Sequence, residues 1–514
     1  MNGMARRTFM GASLLLSADA ALAEATEARP RKPGVGASPV KDVEEVHQAA
    51  RRHDDQATRL KSFDPAVGAV PNPGMGVSGY VFSDHMHVGR TPSEWDRTQG
   101  LPPRPLDRAS LDEMVRLPHV DNLYIRVEWR DVQAARGKLR LPEAWRWLLD
   151  AVEKHGKSWG FRIMNASPHS MHANSLPDFL QGRFKMTAYW ETDNVPGPRP
   201  KFLPEYNEEY LKYWAELLHL LGGAFDEHPR LEFADISGYG LWGEWHHYAM
   251  YGNDGAPAID DVPPRSDEVA SRLIHDHLGA FPSTPAVLSL HAFDYGAGRE
   301  AFEQGLVWAR RDSFMRNFSP TEVRLSQGLQ PGSGMVWETV LPMTPSADGF
   351  AYLGDRAGSL PQRYFDILAH YAAVGFNPWD MIWAHQHTPD TLTLLREHLG
   401  YRIRPSVVWR RAVDGGAPEL VLGLRNDGCS PPSGIVTIVA TFPDGRSTSI
   451  ELPRGQPAPG TMHLYALPWL AKPEAVGDLS LSMAIRLKAK TYPIQWAVAS
   501  RPDDDRKLLH VPLA

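Results

Sequence analysis

The sequence is poor in several things, and each shortage excludes a class of protein. A single cysteine, Cys429, leaves no internal disulfide framework and no multi-cysteine zinc site. No apolar run has the length of a bilayer span, so no membrane insertion is expected once an N-terminal signal is removed. Long basic stretches are missing and the formal net charge is −7, which argues against nucleic acid or acidic membranes as partners. The GxSxG nucleophile elbow, the HExxH zinc motif and any repeat of solenoid period are also missing. What is present is a globular balance of 42% hydrophobic and 22% charged residues, with 16 tryptophans. Indole faces suit the C–H faces of sugars, although core packing is the commoner use of a tryptophan.

Arg6-Arg7-Thr8-Phe9-Met10, the apolar run Gly11 to Leu16 and then Ala20-Ala21-Leu22-Ala23 together read as a twin-arginine export signal over residues 1–23. The expectation is handling by the twin-arginine machinery and a periplasmic or secreted protein. Residues 24–72 are rich in Pro, Gly, Ala and charge and read as a partly disordered lead-in, with one helix around Val40 to Leu60.

From residue 73 to 400, short β-prone runs alternate with longer helical stretches, which predicts a parallel α/β architecture. The expected strands are Met75–Phe82, Leu123–Val127, Phe161–Asn165, Phe233–Ser237, Ala286–Leu290, Leu306–Ala309, Met335–Val340 and Met381–Ala384. Helices are expected at Pro142–His155, Glu208–Leu221, Ser266–Leu278 and Pro361–Ala373. Eight such units without an early glycine fingerprint predict a (β/α)8 TIM barrel. Residues 401–514 carry short alternating runs parted by turn residues, the pattern of an antiparallel β-sandwich.

Active sites of such barrels form at the C-terminal strand ends. Polar and aromatic residues gather there: Arg126 and Glu128 on the second strand, Asn165 and His169 on the third, and Trp245 and His246 after the fourth. The fifth to eighth strands add His291, Asp312, Trp337, Trp383 and His385. Two carboxylates stand out, Glu244 between Trp242 and Trp245, and Glu338 in an otherwise apolar run. Glycoside cleavage needs one acid to protonate the leaving oxygen and a second carboxylate as nucleophile or as base for water. A glutamate among aromatic rings is expected to stay protonated, as an acid should. Of Trp190, Trp245, Trp337 and Trp383, two are expected to stack on substrate.

The stretch Tyr124-Ile125-Arg126-Val127-Glu128-Trp129-Arg130-Asp131-Val132, then Gly137 and Leu141-Pro142, resembles the strand-two signature of β-galactosidase-like clan A glycoside hydrolases. That resemblance implies Glu244 as acid/base, Glu338 as nucleophile and Arg126 as the residue orienting Glu338. Closer still, Pro71-Asn72-Pro73-Gly74-Met75-Gly76, Gly240-Leu241-Trp242-Gly243-Glu244-Trp245-His246 and the terminal sandwich resemble a poorly characterised bacterial family of exported barrel proteins. Those proteins carry a C-terminal domain of unknown function. In one place the pattern departs from clan A, because Gly243 stands where Asn usually precedes the acid/base. Asn165 or His246 must then supply that hydroxyl contact, or the pair no longer hydrolyses.

Other signals weigh less. Gly238-Tyr239-Gly240-Leu241-Trp242-Gly243 spells GxGxxG, yet no helix opens after it to hold a pyrophosphate, so no cofactor is expected. The pairs His85/His87, His246/His247, His275/His277 and His385/His387 lack a third ligand at metal spacing, and no metal is expected. Asp294 and Asp312 read equally as hydroxyl acceptors or as salt-bridge partners of Arg310 and Arg311.

The leading expectation is hydrolysis of an oligosaccharide or polysaccharide, with retention at a carboxyl separation of about 5–5.5 Å. The alternatives are a barrel that binds glycans without cleaving them, and lyase or transglycosylase chemistry at the same carboxylates. A carboxylate locked in a buried salt bridge would favour the binding protein.

Overall fold

The computed structural model describes residues 57–82, 107–189 except 169, 200–247, 266–314, 328–339, 370–472 except 375–377 and 388, and 475–513 except 500–504. The expected export signal lies outside them, as do His169 and Trp190.

Eight parallel strands close into a barrel in chain order: β2 (Gly76–Phe82), β3 (Asn122–Glu128), β4 (Ser158–Met164), β5 (Leu231–Ile236), β6 (Ala286–Ser289), β7 (Trp308–Phe314), β8 (Met335–Thr339) and β9 (Tyr371–Val374). Seven of these overlap expected strands, the sixth of them, β7, only at Trp308 and Ala309. The eighth is a correction, because Met381–Ala384 belongs to a helix, Pro378–His387, and the strand is Tyr371–Val374, which overlaps the end of the expected helix Pro361–Ala373. Length and hydrophobicity alone do not separate a short buried strand from a buried helical turn.

The outer helices show their reasons locally. Helix α2 (Glu143–His155) begins with Glu143 and ends in Lys154 and His155, complementing its dipole, before Gly156 takes the left-handed cap position. Helices α3 (Glu208–Phe225) and α4 (Asp267–Ala280) are capped by the side chains of Asn207 and Ser266, which accept from backbone N–H groups of the first turn.

Alternation along each strand sorts the interior from the shell. Leu123, Ile125, Val127, Phe161, Ile163, Ala234, Ile236, Leu288, Ala309 and Trp337 face outward into the core shared with the helices. Tyr80, Tyr124, Phe233, Val287, Trp308, Val336, Tyr371 and Ala373 face inward. Gly160 permits this filling, since a Cβ there would sit 2.3 Å from the Phe233 ring.

The inward residues form one apolar cluster with the C-terminal domain, through Tyr401, Ile403, Leu424, Ile485 and Trp496. That domain has two antiparallel sheets packed face to face. One contains β10 (Ile403–Arg411), β11 (Glu419–Asn426) and β14 (Met462–Pro468); the other contains β12 (Ile435–Thr441), β13 (Ser447–Glu451), β15 (Asp478–Leu487), β16 (Lys490–Ile494) and β17 (Leu508–Pro512). The edge of the first sheet is β1 (Ala57–Ser62), paired antiparallel with β10. These residues were expected at the junction of a helix and a disordered lead-in, and instead they complete the sandwich. The sandwich therefore abuts the N-terminal end of the barrel and leaves the C-terminal end for chemistry.

Candidate active site

Glu244 follows β5 on a turn whose backbone is unusual. Trp242 and Trp245 both have positive φ, 55° and 67°. Such conformations cost a non-glycine residue about 1 kcal/mol or more and persist only where surroundings enforce them. Here the Trp242 N–H donates to the Ala166 carbonyl (2.7 Å), the Trp245 N–H to Tyr239 (3.1 Å) and the Trp245 indole to Ile236 (2.8 Å). Gly243 also has positive φ (68°), and a Cβ there would lie 2.8 Å from that of Ser237. The departure from Asn is thus built into the path of the chain.

Glu338 reaches the same place from β8. Its Oε1 accepts from Arg162 Nη1 at 3.1 Å and lies 2.9 Å from Arg310 Nη1, and its Oε2 accepts from the Tyr80 hydroxyl at 2.7 Å. Glu244 Oε1 lies 3.1 Å from Arg162 Nη2, 3.5 Å from Arg126 Nη1 and 3.8 Å from Arg310 Nη1, while its Oε2 is 3.2 Å from His246 Nε2. The two Oε1 atoms share Arg310 Nη1, at 2.9 and 3.8 Å, so their separation cannot exceed the sum of those distances. That bound on the facing oxygens admits a retaining spacing of the two carboxyl groups, about 5–5.5 Å.

Below the pair, Asp235 is held by Arg310 Nε at 2.6 Å and by the Tyr124 hydroxyl. Tyr80 and Tyr124 stack at 4.5 Å between ring centroids. Burial pushes both phenols well above their usual range, so each serves as a proton donor to its carboxylate. All of these charged groups are buried.

Glu244 departs from its expected protonation. Burial alone would push its carboxyl up, but Arg162, the His246 hydrogen bond and Arg310 outweigh it and hold the group at about 2. The aromatic neighbours expected to keep it protonated point elsewhere, whereas the arginines touch it. Arg126, expected to orient Glu338, reaches Glu244 at 3.5 Å. Arg162 and Arg310 perform that task.

The remaining expected site residues divide. His246 and His291 come together edge to face at 4.9 Å, beside Glu244. Burial, followed by His246, Arg311 and Arg310, holds His291 well below the usual histidine range. Asn165 donates to the Tyr206 hydroxyl (3.3 Å), which in turn accepts from the Gly240 N–H (2.8 Å), so it supports the Glu244 turn. Glu128 accepts from Ser175 (2.6 Å).

Trp245 and Trp337 are buried in the shell core and offer no face to a sugar. Trp383 and His385 lie on α6 (Pro378–His387; α5 being Gly296–Glu303), not at a strand end. His385 Nδ1 is 2.9 Å from His119 Nδ1, in the loop that leads into β3. Asp312 lies in β7, with its side chain outside the described residues. Among the described residues no group of three His, Cys, Asp or Glu is arranged to hold a metal ion.

Tyr80, Arg162, Asp235 and Arg310 were missed as site residues. The signal was available for Tyr80, Arg162 and Asp235, polar residues in largely apolar strands at the parity that faces the barrel interior, whereas Arg310 stands beside Arg311, Asp312 and Ser313 and only its parity marks it.

No protein-family model matches the chain, and no curated protein matches it. Solved structures do. The catalytic domain of β-amylase from Paenibacillus polymyxa matches at 10% identity and a TM-score of 0.40, over 62% of this chain and 100% of that one. Endo-glycoceramidase II from Rhodococcus sp. matches at 12% and 0.38, over 80% of this chain and 100% of that one. A GH5-4 broad specificity endoglucanase from an uncultured bacterium matches at 10% and 0.36, over 68% of this chain and 99% of that one. Likeness at this level says nothing of what this chain acts on.

Proposed function

We propose that this protein hydrolyses glycosidic bonds with retention, Glu338 acting as nucleophile and Glu244 as acid and then base. The observation that carries the reading is two carboxylates sharing one arginine pair at the C-terminal end of the barrel, where the third donor to Glu338 is a phenol. Arg162, Arg310 and Tyr80 hold Glu338 in one orientation, as an attacking carboxylate requires. An Oε of Glu338 attacks the anomeric carbon while the bond to the leaving oxygen breaks, and Glu244 gives that oxygen a proton. Water then attacks the same carbon, Glu244 takes its proton, and Glu338 is released. His246, hydrogen-bonded to Glu244, is placed to help orient it.

The alternative, a barrel that binds glycans without cleaving them, has its own support. Glu244 is buried among arginines, which favour its ionised form and oppose its service as a proton donor. The pairing of Glu338 does not count against catalysis, because a nucleophile is better for having guanidinium partners. That of Glu244 does.

A 2,4-dinitrophenyl 2-deoxy-2-fluoroglycoside separates these readings, because its leaving group needs no acid. Across glucosyl, galactosyl, mannosyl and glucuronyl donors, at least one is expected to add a glycosyl mass to Glu338, located by peptide mapping and lost in Glu338→Gln. No label from any donor, together with retained binding to a glycan array, would leave the binding reading in its place. We also read the chain as exported through the twin-arginine machinery, on the strength of Arg6-Arg7 and the apolar run behind them, and as one of the exported barrel proteins it resembles.

A further inference from the structure

We propose that the cleft between the N-terminal end of the barrel and the sandwich is a second binding site, for an organic anion of about monosaccharide size. It lies at the opposite end of the barrel from Glu244 and Glu338, so it stands independently of the hydrolase reading. Its volume is about 360 Å³, within the range of about 300–1,000 Å³ for small-molecule sites, which gather where domains meet.

One wall is the segment Pro71-Asn72-Pro73-Gly74-Met75-Gly76, for which the proposed hydrolysis has no task. Asn72 and Gln495, just past β16, clamp each other: the Asn72 amide donates to the Gln495 carbonyl (3.2 Å), and the Gln495 N–H donates to Asn72 Oδ1 (2.7 Å). The Tyr401 hydroxyl donates to the Pro73 carbonyl at 2.7 Å. Gly74 has a φ of 80°, and a Cβ there would collide with Ser433 Oγ, so the path requires glycine. The cleft is therefore preformed.

Three half-buried cations line it: Lys157 at the entry to β4, Arg230 at the entry to β5, and Arg396 from α7 (Pro389–His398). Two are answered by carboxylates. Asp121 takes Arg396 through Nε (2.8 Å) and Nη2 (2.6 Å), and Glu153 takes Arg230 through Nε (3.0 Å). Arg230 Nη1 also donates to the Lys157 carbonyl (3.2 Å). Neither guanidinium spends all five of its N–H donors on these contacts. Lys157 differs, because its Nζ donates to the Val120 carbonyl and makes no salt bridge among the described residues. Burial pushes this ammonium below its usual range, with Asp121 opposing the shift and Arg396 adding to it. The other lining acid, Glu232, accepts from Tyr371, Ser158 and the Gly74 N–H, and burial raises its carboxyl to about 7. The lining histidine, His155, is 3.0 Å from Asp112.

A half-buried ammonium with no carboxylate partner is costly, and an anion in the cleft offsets that cost. A carboxylate or phosphate accepts from Lys157 and from the remaining N–H donors of Arg230 and Arg396 through charge-assisted hydrogen bonds. The rest of the volume is bounded in part by Pro71, Pro73 and Tyr492, apolar surface suited to a ring.

Isothermal titration calorimetry on the full-length protein at pH 6 compares glucuronate, galacturonate and glucose 6-phosphate with neutral glucose. At least one of the anions is expected to bind about 10- to 100-fold more tightly than glucose, the worth of one charge-assisted hydrogen bond. Whether the uronates or the phosphate respond identifies the head group. Lys157→Gln should weaken that anion about 10-fold or more, and Arg230→Gln, which serves if the first variant does not fold, should do the same. Fluoroglycoside labelling of Glu338 should be unchanged in both, so failure of the hydrolase reading is read separately. No binding of any anion, glucose bound as tightly as the anions, or full affinity in the folded variants overturns the inference; the last outcome places the anion elsewhere on the protein.

Discussion

Glu232 opens β5 at the closed end of the barrel, where Tyr371, Ser158 and the Gly74 N–H all donate to it. Burial pushes its carboxyl up from 4.5 to about 7 against those three hydrogen bonds. The folded protein therefore holds a proton here that the unfolded chain releases between about pH 4.5 and 7. The sign follows from linkage: stability is lost as pH rises through that window, and the whole penalty is present above about pH 7. Two and a half units correspond to about 3 kcal/mol. In Glu232→Gln the side chain cannot ionise, its carbonyl still accepts from Tyr371, and it forfeits one acceptor contact worth about 1 kcal/mol. The variant should thus be about 1 kcal/mol less stable than the parent near pH 4.5 and about 2 kcal/mol more stable at pH 7.5. Urea unfolding of both proteins at several pH values reads this as a difference of differences. Groups titrating elsewhere cancel, except Lys490, which faces Glu232 and is lowered to about 8 by burial; readings taken at or below pH 7.5 avoid most of its titration. Parallel stability curves from pH 4.5 to 7.5 would refute the reasoning, because no differential proton would then be bound at Glu232.

Gly243→Asn, which restores the residue usual in clan A, should not help this enzyme. The Cβ meets Ser237 at 2.8 Å, so a loss of about 1–3 kcal/mol in stability with no gain in hydrolysis is expected, and a stable, faster variant would show that the turn has another path. Replacing Arg6-Arg7 by Lys-Lys should leave the precursor in the cytoplasm, read by fractionation of cells with antibody to the mature chain; unchanged export would remove the twin-arginine assignment.

The barrel was legible because its shell obeys simple periodicity. Leu123, Ile125 and Val127, or Ala234 and Ile236, face helices, and runs of this kind read as buried parallel strands. The eighth strand was illegible for a physical reason. Ala372-Ala373 reads as helix by propensity, while Met381-Ile382-Trp383-Ala384 is a short apolar run whose Met381, Ile382 and Ala384 are buried, as in a strand. Pro378, the first residue of the helix, was the available signal against a strand. The site shows a different limit. Glu338 was found because a charge in an apolar strand demands an explanation, and the same argument applies to Arg162 and Asp235, but not to Arg310, which shares its strand with Arg311, Asp312 and Ser313. Once Glu338 is placed inward, period two sends Trp337 outward, so its rejection as a sugar platform was already contained in the spacing. What spacing could not contain is which arginine meets which glutamate, since that depends on the stagger between strands. Arg126 and Arg162 sit on neighbouring strands in direct register, yet only Arg162 spans both carboxylates. The protonation of Glu244 turns on that detail: the aromatic flanks visible in sequence argue for a neutral acid, and Arg162 and Arg310, brought in by two other strands, reverse the sign together with the His246 hydrogen bond.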